Sequence, residues 1–434
     1  MPRYWAGIDW SERHGHEIAV VDAAGSVIAR GRIPETPDGV KELLRLLGPG
    51  VNSSHRHSRK RVPVAIETSR GLLVEALRGA GQPVVALNPA MAARYRGRLN
   101  PAKRKDDAGD ARMLANILRI DGDQHRPLWT PSPRAAALKQ LTRAHLRALR
   151  DQRYYANRLR SHLTDYYPAA LQAWATLPTN LLRAEARAVL AAAPTPATAT
   201  RLRRSQLAAI LAGAGRTRQI DDHAARLHTL FRVQQLRQPL QVEEAMGHSM
   251  LAVLAMLNQS TALVESLADQ LTEAFQAHEQ APIYRSFPGV GPIIGARLLA
   301  EIGDDPTRFA TAKGLCAYAG AAPITWASGG SHGVTQRHIA NRVLKVTGHH
   351  WAFASLTRSP GCRAYYDRRR ERGDRYAAAL RNLYGRLLRC LHHCLATGTL
   401  YREEQAFRAP RELAATSPAP GLPIGKTCPL TGGG

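Results

Sequence analysis

The chain has 434 residues, with 60 Lys+Arg against 34 Asp+Glu, a formal net charge of +26 at pH 7, and only 6% aromatic residues. At 44% hydrophobic and 22% charged, its composition is that of a globular protein long enough for roughly two to four domains, which excludes a wholly disordered or fibrous chain. Five scattered cysteines, at 316, 362, 390, 394 and 428, and apolar runs no longer than LAVLAML predict a soluble cytoplasmic protein with no disulfide framework and no membrane partner.

A positive field of this size attracts polyanions, which in a cytoplasm are chiefly DNA and RNA. In chain order, YWAGID, HEIAVVD and VIARGRI within 4–33 predict an antiparallel three-stranded meander. DGVKELLRLLG (about 37–47) predicts a helix, and VPVAIET (62–68) a buried strand ending at a carboxylate; a helix, the strand PVVALNP and another helix follow. Strands first paired and then alternating with helices predict an α/β layer fold of the ribonuclease-H type.

Residues 134–163 predict one long helix, and 248–278 a second; they can pair antiparallel within one chain or dimerise between chains. Arg143, Arg147, Arg150, Arg153 and Arg158 dominate the first helix, with Asp151 its lone acid. A solvated face normally mixes signs, so this one is suited to phosphate contact. AAAPTPATAT between the helices reads as a linker-like break, with a short helical patch near Leu207–Leu211. The compact segment from 281 to about 400 is mostly helical, and the Ala-, Pro- and Gly-rich tail of 401–434 is expected to be disordered. The predicted domains are thus 1–125, 126–280 and 281–400, followed by the tail.

The chemistry lies in four acids. Asp9 ends the first strand and Glu67 the fourth, and Asp107 and Asp110 are spaced to share one face of a helix start. Clustered carboxylates repel unless a cation separates them, and two Mg²⁺ about 4 Å apart would clamp the attacking and leaving oxygens of a phosphodiester. Asp106 makes an equally acceptable pair with Asp110, so spacing leaves Asp106 and Asp107 as alternatives.

In PGVGP (288–292), Gly289 and Gly291 would present backbone N–H groups to a phosphate, or simply make a tight helix connection. Arg368, Arg369 and Arg370 in YYDRRRERGDRY form a second basic cluster, and ASGGSHG (327–333) carries Ser328 and Ser331 in a polar loop. GLPIGKT (421–427) is one residue short of a phosphate loop, and Cys390, His392, His393 and Cys394 would diverge around a helix; neither is taken as a site.

GIDWS around Asp9, VAIETS around Glu67, KDDAGDA around Asp107 and Asp110, FPGVGPIIGARLLAEIGD and AYAGAAPITWASGGSHG occur in that order over about 4–400. Together they resemble the insertion-sequence-110 family of transposases, the DEDD recombinases. The resemblance implies a RuvC-like N-terminal domain whose four acids bind divalent metal (two Mg²⁺, with Mn²⁺ able to substitute), a helical coiled-coil region, and a C-terminal domain with a helix-hairpin-helix element. Its K-x-D-x-x-D-A pattern falls on Lys105, Asp107, Asp110 and Ala111, favouring Asp107, and its nucleophilic serine falls on Ser328, with Ser331 a weaker match.

It further implies a site composed between protomers, dimers or tetramers on nucleic acid, guidance by a structured non-coding RNA that pairs with donor and target DNA, and association with the nucleoid when DNA is bound. The expected activity is strand cleavage and exchange through a covalent phosphoserine. The alternatives are a metal-dependent, structure-selective nuclease of Holliday-junction type that activates water, and a non-catalytic nucleic-acid scaffold.

Overall fold

A computed structural model describes residues 4–11, 14–48, 62–99, 106–175 and 180–407. His55, His57, Lys105, the 421–427 segment and Cys428 lie outside these residues. The chain divides into two compact units, Met1–Thr130 and Pro131–Gly434.

The first unit is built on the predicted meander, β1 (Trp5–Asp9), β2 (His16–Val21) and β3 (Val27–Ile33), followed by α1 (Pro37–Leu46), β4 (Val64–Ile66), α2 (Leu72–Gly79), β5 (Val84–Ala86), α3 (Pro89–Leu99) and α4 (Asp107–Asp121). The sheet order is β3-β2-β1-β4-β5. β1 runs antiparallel to β2 and parallel to β4, with Ile8 opposite Ile66, and β4 runs parallel to β5. The central strands are apolar on both faces because both faces are covered. On one, Ile8, Ile18 and Ile66 pack with Leu43, Leu73 and Leu77; on the other, Ala65 and Val85 pack with Leu114, Ile117 and Leu118 of α4.

The contact between α4 and β1 is unusually close. A Cβ on Gly7 would stand 2.0 Å from the Ala111 carbonyl oxygen and 2.5 Å from the Ala115 nitrogen. Only glycine lets helix backbone rest on strand backbone there.

In the second unit, α5 (Pro133–Tyr166) is the predicted arginine-rich helix, capped by the Ser132 side chain. Then come α6 (Pro168–Trp174), α7 (Ala184–Ala192), α8 (Pro196–Arg201), α9 (Arg204–Gly213), α10 (Ile220–Leu230) and α11 (Leu240–Gln276). Gln152 bonds Thr261 and His162 bonds the Met246 carbonyl, so α5 and α11 pair antiparallel within one chain. α11 alone among the described helices is long and apolar enough to cross a membrane, yet its Met250, Leu254, Leu257, Leu271 and Phe275 are buried in protein.

The segment predicted to be a linker is ordered. Thr195 and Thr198 form a capping box at the start of α8, and Ala193 and Ala199 are fully buried. They belong to a helical core with Tyr166, Tyr167, Trp174 and Phe231. Alanine-rich packing carries no strong hydrophobic period, which is why the pattern reads as a break.

A second core gathers α12 (Ala281–Arg285), α13 (Pro292–Ile302), α14 (Ala312–Tyr318), α15 (Arg342–Ser355), α16 (Pro360–Glu371) and α17 (Tyr376–Thr397) around the facing ends of α5 and α11. The hairpin β6 (Ile324–Ser328) and β7 (Ser331–Thr335) interrupts the helices. Residues 401–407 of the expected tail are packed: Tyr401 lies on Phe287 at 4.5 Å, and Glu403 of α18 (Glu403–Ala406) accepts from the Gly361 N–H at 2.7 Å; the rest of that segment lies outside the described residues.

Candidate functional site

Side chains alternate across a strand. Ala6 and Ile8 lie in the core on the α1 and α2 side, so Gly7 and Asp9 face α4. By the same alternation Ala65 faces α4 from β4, and Glu67 directly follows that strand's last residue. Ile8 pairs with Ile66 in a parallel ladder, so Asp9 and Glu67 leave neighbouring strands at one level, with the strands about 4.8 Å apart. Asp110 comes to the same edge from α4, one residue before the Ala111 carbonyl that rests on Gly7.

Asp110 is 5% exposed. Its Oδ1 accepts from Arg96 Nε at 2.6 Å, while its Oδ2 is buried with no partner. Arg96 comes from α3. Its hydrogen bond to Asp110, and the charges of Asp110, Glu67 and Asp9, raise its pKa above the ordinary guanidinium value against the cost of burial. One cation therefore lies within the electrostatic reach of three of the four predicted acids. In the sequence, Arg96 carries no signal beyond the alternating arginines of ARYRGR.

The two remaining aspartates divide clearly. Asp106 is the N-cap of α4, its carboxylate accepting from the Gly109 N–H at 3.2 Å. Asp107 is the first helical residue and is exposed.

Among the described residues no three His, Cys, Asp or Glu stand close enough to hold an ion, and a guanidinium takes part of that place. The chemistry of the donors nonetheless suits a hard divalent cation: carboxylate oxygens, one of them buried and unsatisfied, within electrostatic reach of one positive charge. Asp9, Glu67 and Asp110 would hold such an ion, with Asp107 one helical turn away.

Ser328 ends β6 and pairs with Ser331 across the two-residue turn Gly329–Gly330, where Gly329 has φ +55°. Such a turn suits a tight hairpin and leaves Ser328 exposed at its tip.

The predicted basic residues separate into two groups. Arg147, Arg150, Arg153 and Arg158 are exposed on α5 beside exposed Tyr154. Arg143 instead lies 3.8 Å from buried Glu301, which Lys139 also approaches at 3.9 Å. Arg369 clamps the Asp374 carboxylate at 2.6 Å, together with Asn382, and fixes the turn into α17, where exposed Arg370 also donates to the Asp374 carbonyl at 2.9 Å; Arg368 is exposed as well.

Gly289 has a packing role: at φ +76° it presses on α15, where a Cβ would stand 2.8 Å from Ala354 and Ser355 backbone atoms. The Cβ position of Gly291, the N-cap of α13, is open. His392 of the rejected cysteine and histidine cluster is bonded to the Phe309 carbonyl at 2.8 Å.

Comparison with known proteins places these features in a lineage. A family model for the DEDD transposase of IS110, described as a transposase, matches residues 6–168, and one described as the transposase of the IS116/IS110/IS902 family matches 281–367. A mini-circle protein of Streptomyces coelicolor assigned as the transposase for IS117 is 47% identical over 411 residues, covering 95% of this chain and 98% of that protein. An uncharacterized 43.6 kDa protein of insertion element IS110 from the same species is 32% identical over 76% of this chain and 80% of its own length. An uncharacterized protein of IS116 from Streptomyces clavuligerus is 29% identical, covering 88% and 92% respectively. The strand-end acids, the helix-borne Asp110 and the serine hairpin all lie inside the matched segments, and the chain belongs to the IS116/IS110/IS902 family of insertion-sequence transposases.

Proposed function

We propose that the protein moves an insertion sequence by cutting and rejoining DNA strands, with a covalent phosphoserine as intermediate and a structured, element-encoded RNA choosing the donor and target by base pairing. The observation that carries this reading is that Asp9, Glu67 and Asp110 all lie within electrostatic reach of the Arg96 guanidinium, in a chain that also displays Ser328 at an exposed hairpin tip. A RuvC-like fold for the first unit, a coiled coil of α5 and α11, a helix-hairpin-helix around 288–292 and assembly into dimers and tetramers on nucleic acid belong to the same reading.

Asp9, Glu67, Asp107 and Asp110 would hold Mg²⁺ (two ions, with Mn²⁺ able to substitute), which when bound would supply Lewis acidity at the scissile phosphate. The Ser328 Oγ attacks phosphorus as the bond to the leaving sugar oxygen breaks; the serine gives up its proton and the departing oxygen gains one. The phosphoester so formed conserves the linkage for transfer to a second strand. The exposed arginines of α5, with Arg368 and Arg370, hold phosphate backbones without reading sequence, which base pairing can supply.

The test is a denaturing gel of the full chain with copurified RNA, donor DNA and Mg²⁺. A covalent protein–DNA adduct that disappears in Ser328→Ala is expected. Cleavage that survives Ser328→Ala without any adduct would establish the water-activating nuclease instead. Activity unchanged by Asp9→Ala and Glu67→Ala would leave only a scaffold.

A further inference from the structure

We infer that Arg96 is a built-in counter-ion that holds the carboxylate site closed to metal until a nucleic-acid phosphate draws it away. The inference rests on the metal-dependent reading above and adds to it a coupling between metal and nucleic acid.

Asp110 is the most buried of the four predicted acids, and its Oδ1 accepts from Arg96 Nε at 2.6 Å. A buried carboxylate needs a compensating charge, and at this distance the guanidinium provides one. A divalent ion placed on the same carboxylates would meet that guanidinium as a like charge. Each cation satisfies the electrostatic demand of Asp110, so either can occupy the site stably, and binding of one weakens the other.

The guanidinium has somewhere to go. The Arg96 side chain is 26% exposed, and its neighbours on α3, Arg94 and Arg98, are exposed to solvent. A phosphodiester arriving along this rim offers the planar, doubly accepting anion that guanidinium prefers. Moving Arg96 from Asp110 to phosphate frees Oδ1, so that both Asp110 oxygens are open at the moment the substrate is present. Metal uptake and substrate binding then favour one another reciprocally, as linkage requires.

Arg96 acts here through Asp110, as a positioning residue. The test measures Mn²⁺ affinity of the full chain by electron paramagnetic resonance of the free ion, with and without a 20-bp DNA duplex, using Asp110→Asn to subtract ions held by DNA alone. The wild type is expected to bind Mn²⁺ weakly alone and roughly tenfold more tightly with duplex; Arg96→Gln is expected to bind roughly tenfold more tightly without DNA and to gain little from it. Arg96→Gln leaves Asp110 uncompensated, so it should also show the larger rise in melting temperature with Mn²⁺. If it does not fold without metal, Arg96→Lys, which keeps the charge but not the fork, must bind Mn²⁺ at least as tightly as the wild type and show a smaller gain from duplex.

Equal or weaker Mn²⁺ binding by the Arg96 variant, with the wild type binding, would overturn the role of Arg96 and leave the metal reading intact. Absence of Mn²⁺ binding in both folded proteins, with and without DNA, would overturn the metal reading and this inference with it.

Discussion

Gly7→Ala is the most incisive single change because it tests whether helix-on-strand contact sets the geometry of the acids. The added methyl would lie 2.0 Å from the Ala111 oxygen, and ordinary contact begins near 3.4 Å, so α4 must retreat by the difference of about 1.4 Å. The obstructing atoms are backbone, and no rotamer change can relieve them. Overpacking of this kind costs about 1–3 kcal/mol, and a shift of order 1 Å at a reacting centre costs roughly a hundredfold in rate. Urea unfolding of the full chain should show the lower stability, and DNA cleavage at saturating Mg²⁺ the lower rate. Gly79→Ala at the end of α2 is the control, since its Cβ would meet nothing within 4 Å; it should be neutral or slightly stabilising. A Gly7→Ala protein with the wild-type urea midpoint and cleavage rate would refute the reasoning.

Asp106→Ala should lower stability by about 0.5–2 kcal/mol through loss of the α4 cap while Mn²⁺ affinity persists, whereas Asp107→Ala should leave the melting temperature nearly unchanged and reduce metal affinity; the reverse pattern would make Asp106 the ligand. His145 is buried, and burial first and the Arg297 charge second lower its pKa. The unfolded imidazole therefore takes up its proton at a higher pH, near ~6.5, so folded stability falls as pH drops from about 7 towards the lowered value, by at most about 1.4 kcal/mol per pH unit. His145→Gln should flatten that part of the pH–stability curve, and an unchanged slope would refute the assignment. Arg147→Ala and Arg150→Ala should each reduce the salt slope of non-specific DNA binding by about 1, while Arg369→Ala should leave the slope alone and destabilise the α16–α17 turn; fluorescence anisotropy across a salt series separates them.

The strands of the first unit are legible because alternation and buried apolar runs leave strong local patterns, and Asp9 and Glu67 stand out because each closes such a run. The identity of the helix-start acid is less legible: spacing in KDDAGDA permits two registers, the resemblance favours Asp107, and the cap bond that Asp106 makes to Gly109 is not visible in the sequence. Arg96 cannot be read locally, since it meets Asp110 across 14 positions and through a stretch lacking any periodic signal. Gly289 packs against α15, far along the chain, and Arg369 pairs with Asp374 across a turn of five residues, yet their residue types alone point equally well to phosphate. The alanine-rich stretch around 193–199 fails for the opposite reason, because small residues pack closely without announcing themselves as apolar.

α5 is 34 residues long, about 51 Å at 1.5 Å per residue, and it enters both cores of the second unit, through Ala135 and Leu138 at one end and Leu159 and Leu163 at the other. It works as a rigid axle. One residue inserted at its middle would turn everything beyond by about 100° and advance it about 1.5 Å, throwing one core out of phase with the other. Length changes in this shaft are therefore tolerable only in whole-turn steps matched by α11.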